Sequence, residues 1–117
     1  MNETLKTLKT RRSVRQYDPR PVEREKLEAI LEAGTYAPSA MGRQSVTMAV
    51  LTKKEDIAEL SALNAAVMDS SGDPFYGAPC VVVVLADPAA TNAANAQRDG
   101  SLTMGNLMNA AWSLGVS

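Results

Sequence analysis

Cys80-Val81-Val82-Val83-Val84-Leu85-Ala86 is the stretch that decides the fold, because an apolar run this rich in β-branched residues favours a strand. The run does not alternate with polar residues, so we expect a strand buried on both faces. A second strand is predicted at Val46–Thr52 (VTMAVLT), which is apolar and bounded by polar residues. Two strands alone are marginally stable, so we expect further strands from outside these 117 residues or from a partner chain.

Two helices are predicted before the strands. Asn2 can cap a short first helix, which carries Leu5 and Leu8 on one face. The prolines at 19 and 21 exclude a helix between the two. A second helix is predicted from Val22, and its inner face holds Leu27, Ile30, Leu31 and Gly34.

One further helix is predicted after each strand. The third covers Lys53–Met68 and has an inner stripe of Ile57, Leu60 and Leu63. The fourth begins at Asp99 or Ser101, after a loop at Asp87–Asn95, and runs to Leu114. This helix is apolar nearly all round, which is typical of a helix inside a core or a subunit interface.

Composition restricts the chemistry. The chain is the size of one domain, and it contains one cysteine and no histidine. A Ser-His-Asp or Cys-His pair, an imidazole metal ligand, an internal disulfide and a cysteine-held iron–sulfur cluster are therefore excluded. An enzyme of this composition would use a borrowed cofactor. The longest apolar run is too short to span a bilayer and no secretory signal is evident, so we expect a cytoplasmic protein without a membrane partner.

Charge is unevenly distributed along the chain. The formal net charge of −1 argues against nucleic-acid binding. Residues 1–24 nevertheless hold seven basic and three acidic side chains, a net charge of +4. A local positive site in an acidic body suits a small anion. The alternative is a solvated basic helix end.

The stretch Arg11-Arg12-Ser13-Val14-Arg15 is the first candidate site. In an extended segment, alternate residues point the same way, so Arg11, Ser13 and Arg15 would share one side. Two guanidinium groups flanking a hydroxyl suit a phosphate monoester. Arginines at a helix C-terminus that offset the helix dipole are the alternative.

Two later stretches are weaker candidates. Ala37–Gln44 follows a helix, and the amide of Gln44 could pair with the edge of a heterocycle. An ordinary helix-ending loop is the alternative. Phe75–Pro79 is interpreted as a turn that packs two aromatic rings on the core. We expect Cys80 to be structural, because nothing nearby in sequence would stabilise a thiolate.

Taken in order, these pieces resemble the flavin-dependent nitroreductase family. The R-x-S-x-R stretch is Arg11–Arg15, and the I-L-E-A-G-x-x-A-P-S segment is Ile30–Ser39. Gln44 precedes the first strand, and F-Y-G-A-P at Phe75–Pro79 precedes the valine-rich strand. A helix of the type N-L-M-x-A-A-x-x-L-G follows at Asn106–Gly115. The resemblance covers essentially the whole chain in collinear order.

The resemblance implies an α+β fold, a three-layer α/β/α nitroreductase-like domain with a mostly antiparallel sheet, ending here after the central helix. It implies a single domain over residues 1–117, with FMN at the interface of a homodimer. The residues implied to hold the phosphate, ribityl chain and pyrimidine edge are Arg11, Arg12, Ser13 and Arg15. Those implied to approach the flavin from the other subunit are Pro38, Ser39 and Ala40, and the residue implied to contact its polar atoms is Gln44.

The resemblance also implies an activity, the transfer of hydride from NAD(P)H to nitroaromatic, quinone or similar acceptors in a ping-pong cycle. The flavin carries that chemistry, so no catalytic side chain and no metal are assigned. One alternative is a non-catalytic dimeric FMN-binding or interaction module. Another is a specialised member, such as a dehalogenase or a flavin-fragmenting synthase, although no lid-length insertion is present.

The chain departs from the family pattern in three ways. Gly42 and Ser45 stand where the family often has Asn and Pro, which removes a possible amide contact. The segment between Leu63 and Phe75 is short, which would reshape the substrate side. The chain also corresponds to about half of a family core, so we expect a C-terminal part to be absent from this sequence or to be a separate chain.

Overall fold

The computed structural model describes residues 1–117 and contains four α-helices, one 3₁₀ turn and two strands. In chain order these are α1 Glu3–Thr10, α2 Arg24–Thr35, the 3₁₀ turn Ala40–Gly42, β1 Val46–Leu51, α3 Lys54–Val67, β2 Val81–Ala86 and α4 Ala93–Ser113. The predicted order of helices and strands is therefore confirmed. None of the four α-helices combines the length and the apolar character that a bilayer crossing requires.

The two strands form one antiparallel sheet, with Val46 opposite Ala86 and Leu51 opposite Val81. This pairing confirms the predicted α+β class. The prediction that β2 is buried on both faces is wrong. Ala86 and Val84 lie against α4, close to Gly100, whereas Leu85 points the other way and is 52% exposed. The side chains of a strand alternate between faces, so a helix on one face cannot cover both.

Helices α2 and α4 pack closely against each other and make the core. The predicted inner face of α2 is confirmed, because Ile30 and Gly34 are both buried. A Cβ atom at Gly34 would lie 2.8 Å from Leu107 Cδ2 and 2.9 Å from Met48 Sδ. Glycine therefore allows α2 to approach α4 and β1 at once. Asn106 of α4 donates to the carbonyl of Ala33 at 2.9 Å and closes the same contact.

The predicted start of α4 is wrong by six to eight residues. The helix begins at Ala93, because the side chain of Asn92 accepts a hydrogen bond from the Asn95 N–H at 2.8 Å and caps it. The predicted loop at Asp87–Asn95 therefore ends earlier than expected. At the other terminus, the predicted cap of α1 is confirmed, because Asn2 accepts from the Leu5 N–H at 2.9 Å.

Two predicted core side chains lie outside the core. Leu63 is 61% exposed, because the inner face of α3 runs through Ile57, Ser61 and the buried Ala65 in steps of four residues, with the half-buried Leu60 beside it. Tyr76 is 50% exposed and sits in a left-handed turn (φ 54°), so only Phe75 of the aromatic pair is turned partly inward.

Candidate functional site

The arginine segment, Arg11–Arg15, leaves α1 in an extended direction. Arg11 has φ −55° and ψ 138°, and no regular structure follows up to Asp18. The helix end is closed locally, because Arg12 Nη1 donates to the carbonyls of Lys9 (3.0 Å) and Arg11 (2.9 Å). The expectation of a non-helical segment is confirmed, and Arg12 acts in part as the cap of α1.

A cleft of about 260 Å³, the arginine cleft, lies along this segment. All five residues of the segment line the cleft. Its other walls come from the nearby Tyr17 and from distant parts of the chain, namely Tyr76, Met108, Trp112 and Ser117. Two hydrogen bonds hold the walls. Trp112 Nε1 donates to Thr10 Oγ1 at 3.1 Å, and the Tyr17 hydroxyl donates to the Val14 carbonyl at 2.9 Å. The cleft therefore combines cationic side chains with aromatic walls.

The arginines of the cleft are not engaged by acidic side chains. The three ion pairs of the chain are Arg20–Asp18, Arg24–Glu28 and Lys26–Glu23. Arg11 and Arg15 belong to none of them, and Arg12 bonds only to backbone carbonyls. The guanidinium groups of Arg11 and Arg15 therefore have no acidic partner within the chain, and the predicted binding of an anion by them stays a prediction.

The serine loop, Pro38–Ser45, connects α2 to β1 by a tight left-handed turn. Met41 (φ 53°), Gly42 (φ 65°) and Gln44 (φ 51°) all adopt positive φ. Ser39 Oγ accepts a hydrogen bond from the Gln44 N–H at 3.0 Å and closes the turn from within. Gln44 itself is exposed.

Asp99 of α4 is the polar centre beneath the serine loop. It is 2% exposed, and its Oδ1 accepts from the Ala40 N–H at 2.9 Å. Its Oδ2 accepts from the Ser45 hydroxyl, also at 2.9 Å. Sequence reasoning assigned Asp99 only a role as a helix start. The available signal was periodicity, because Ala96, Asp99, Thr103 and Leu107 lie on one helical face once α4 begins at Ala93.

The structure brings the predicted residues together in two groups. Arg11, Arg12, Ser13 and Arg15 share the arginine cleft, and Pro38, Ser39, Ala40 and Gln44 share the serine loop. No residue of the serine loop lines the arginine cleft of the same chain. The expectation that the two groups meet across two subunits stays a prediction.

A wider cleft of about 720 Å³ adjoins the arginine segment and shares Val14, Tyr17 and Ser117 with the arginine cleft. Cys80 lines it, and partial burial raises the pKa of the Cys80 thiol. The thiol is therefore less ionised at neutral pH than a free cysteine, in agreement with a structural role.

The Phe75–Pro79 turn, beside the arginine cleft, is organised by Asp73. Its carboxylate accepts from the N–H groups of Phe75 (2.9 Å) and Gly77 (2.8 Å) and from the Ser61 hydroxyl (2.7 Å). The Phe75 N–H, then the Ser61 hydroxyl and the Gly77 N–H, lower the pKa of Asp73. The turn that carries Tyr76 into the cleft wall is thus held by one carboxylate.

Comparison with solved structures gives close matches. A nitroreductase with bound FMN from Desulfitobacterium hafniense DCB-2 superimposes with a TM-score of 0.87 at 36% identity, over 98% of this chain and 67% of that one. A nitroreductase with bound FMN from Bacteroides fragilis NCTC 9343 gives 0.86 at 32% identity, with the same coverages. These similarities confirm the nitroreductase-like fold class.

Sequence comparison agrees with the structural matches. An FMN reductase [NAD(P)H] from Bacillus subtilis (strain 168) is 36% identical over 88 residues, which are 74% of this chain and 33% of that protein. The chain spans 48% and 58% of the lengths of two other curated relatives. The family model for the nitroreductase family matches residues 8–117. With fold, motifs and family model in agreement, the chain belongs to the nitroreductase family.

Proposed function

We propose that the chain binds FMN and acts as an NAD(P)H-dependent oxidoreductase, or as the N-terminal part of one. The observation that carries the proposal is the arginine cleft, which is lined by Ser13 and by two arginines without acidic partners, Arg11 and Arg15. The names of the similar proteins point the same way, because the two matched structures hold FMN and a relative is an FMN reductase.

The donor set fits the phosphate end of FMN. A phosphate monoester accepts charge-assisted hydrogen bonds, and Arg11, Arg15 and Ser13 supply charged and neutral donors on one short segment. Arg12 keeps its remaining guanidinium N–H groups for the ribityl chain or the pyrimidine edge, since Nη1 is bonded to backbone carbonyls. The aromatic wall formed by Tyr76 and Trp112 can cover apolar parts of a bound molecule.

The size of the arginine cleft supports a shared site. Pockets that hold a whole cofactor have volumes of roughly 300–1,000 Å³. The arginine cleft by itself has about 260 Å³, below that range, so we assign to it the phosphate and ribityl end of FMN. We therefore propose a homodimer in which the serine loop of the second copy covers the flavin. In that arrangement Pro38, Ser39 and Ala40 lie against the flavin, and Gln44 offers its amide to a polar atom.

The residues of this chain bind and orient, and the cofactor supplies the reactivity. When bound, FMN would take up hydride from NAD(P)H and deliver electrons to a nitroaromatic, a quinone or a similar acceptor. Arg11 and Arg15 would fix one end of the cofactor, and the left-handed turn of the serine loop would bring backbone close to it. We place this activity in the cytoplasm and assign no side chain as acid or base.

The test is reconstitution of the 117-residue protein with FMN, followed by anaerobic addition of NADH or NADPH. We expect flavin absorbance to remain with the protein after desalting, to bleach with the nucleotide and to return on adding a nitroaromatic or a quinone. Retained flavin that neither nucleotide bleaches would favour the alternative function, a non-catalytic FMN-binding module. That alternative is motivated by the 33–58% of the curated relatives' lengths that the chain spans. Protein that retains no flavin would overturn both.

A further inference from the structure

The most deeply buried residue of the molecule is an aspartate. Asp99 is 2% exposed in the middle of α4, and it forms no ion pair. An acidic side chain removed from water needs hydrogen-bond donors. Both donors come from the serine loop, more than fifty residues earlier in the chain. The loop and the buried side chain therefore depend on each other.

The two bonds lie at opposite ends of the turn. Oδ1 of Asp99 accepts from the N–H of Ala40, the first residue of the 3₁₀ turn, and Oδ2 accepts from Ser45, directly before β1. The positive-φ residues lie between these points. Such conformations persist only when the surroundings hold them in place. Asp99 supplies that constraint from below, and the bond from the Gln44 N–H to Ser39 Oγ supplies it from within.

We infer that Asp99 is a positioning residue, which fixes the serine loop in the shape that presents Ser39, Ala40 and Gln44 to a flavin. The inference rests on the proposed function, because it concerns the same site. Asp99 itself is covered and would not touch the cofactor. Its effect would pass through the Ala40 N–H and the Ser45 hydroxyl.

Three substitutions separate positioning from simple stability. Asp99→Ala removes both acceptors, whereas Asp99→Asn retains one oxygen for the Ala40 N–H and can donate to Ser45 Oγ. Ser45→Ala removes one of the two bonds and leaves Asp99 intact. The matched control is Thr103→Val, on the same face of α4 and equally covered but without a hydrogen bond to the loop.

Two measurements are made on each protein, the dissociation constant for FMN and hydrogen–deuterium exchange of the Ala40 and Gln44 amides without FMN. Unfolding in urea is recorded alongside. Because Asp99→Ala leaves the Ala40 N–H and the Ser45 hydroxyl without their acceptor, we expect it to raise both the FMN dissociation constant and the amide exchange rates by about tenfold or more. Ser45→Ala should give a smaller rise, and Asp99→Asn and Thr103→Val should stay near the unchanged protein.

Unchanged exchange and unchanged FMN affinity in Asp99→Ala would overturn the inference. So would equal losses in Thr103→Val, because the effect would then be general destabilisation. If Asp99→Ala does not fold, Ser45→Ala and Asp99→Asn decide by the same measurements. If the unchanged protein binds no FMN, the proposed function fails, whereas the exchange rates still show whether Asp99 fixes the loop.

Discussion

The arginine segment and the serine loop are both irregular, but the fold holds them in different ways. The serine loop is bonded to a buried aspartate at both ends and to itself in between. In the arginine segment, Arg11 and Arg15 have no acidic partner, and the nearby hydrogen bonds hold the walls of the cleft. The proposed site therefore has a preformed half, the serine loop, which supplies shape. Its open half, the arginine segment, supplies charge. An anion can complete the open half at little structural cost.

The largest expected effect comes from removing the charge of the open half. Replacing Arg11 and Arg15 together by Ala should weaken FMN binding by roughly 3–6 kcal/mol at most, at roughly 1.5–3 kcal/mol for each charge-assisted bond. Flavin fluorescence titration measures this change. The double variant Lys53→Ala, Lys54→Ala removes the same charge at the exposed start of α3 and should leave affinity nearly unchanged. Equal affinity in both variants would contradict the role of the arginines.

The second-largest effect should come from a change in the packing of α2 against α4 and β1. Gly34→Ala places a Cβ within 3 Å of Leu107 and Met48, so overpacking should outweigh the gain in helix propensity. We expect a net loss of about 1–2 kcal/mol in the free energy of unfolding, measured in urea. Gly105→Ala is the matched control, because nothing lies within 4 Å of its new Cβ. That variant should gain about 0.5–1 kcal/mol, and a loss there would refute the packing argument.

Acid should loosen the wall of the open half. The pKa of Asp73 is lowered in the folded protein, so its contribution to stability is complete above about pH 4 and is lost as pH falls through the folded value. Asp73→Asn should therefore lower stability at neutral pH and flatten its decline in acid. Thermal unfolding between pH 3 and about pH 7 measures this. Asp69→Asn, which alters no comparable hydrogen bonds, should follow the unchanged protein; identical profiles for both variants would contradict the assignment.

The smallest effect concerns Cys80, which lines the wider cleft beside the arginine segment. Burial raises the pKa of its thiol, so less thiolate is present at neutral pH than in a free cysteine. Alkylation by iodoacetamide should be slower than that of glutathione near pH 7, and the rate should rise as the pH increases. Reaction as fast as that of the free thiol would show that the cleft gives it no protection.

Local patterns were sufficient to predict much of the fold. The apolar periodicity of α2 predicted its buried face through Ile30 and Gly34, and turn chemistry predicted both irregular segments. The arginine segment could be predicted as a candidate anion site because its basic residues and its serine lie close together in the sequence. These features depend on short-range spacing, which a single sequence displays directly.

The remaining features depend on contacts between distant parts of the chain. Asp99 could not be assigned to the serine loop, because its partners lie more than fifty residues earlier. The prediction that Leu63 is buried fails because an apolar residue beside the buried face of a helix can still point to solvent. Leu85 was misplaced because an unbroken apolar run does not reveal how many faces the fold covers.

Trp112, which lines the arginine cleft and is bonded to Thr10, is the only tryptophan of the chain. Its indole is therefore the one tryptophan fluorophore of the chain, and it lies beside the proposed binding site. Trp112 fluorescence can be measured without a label, and a flavin bound nearby would quench that fluorescence by energy transfer. Tryptophan fluorescence would therefore report FMN binding at the proposed site in the unmodified protein.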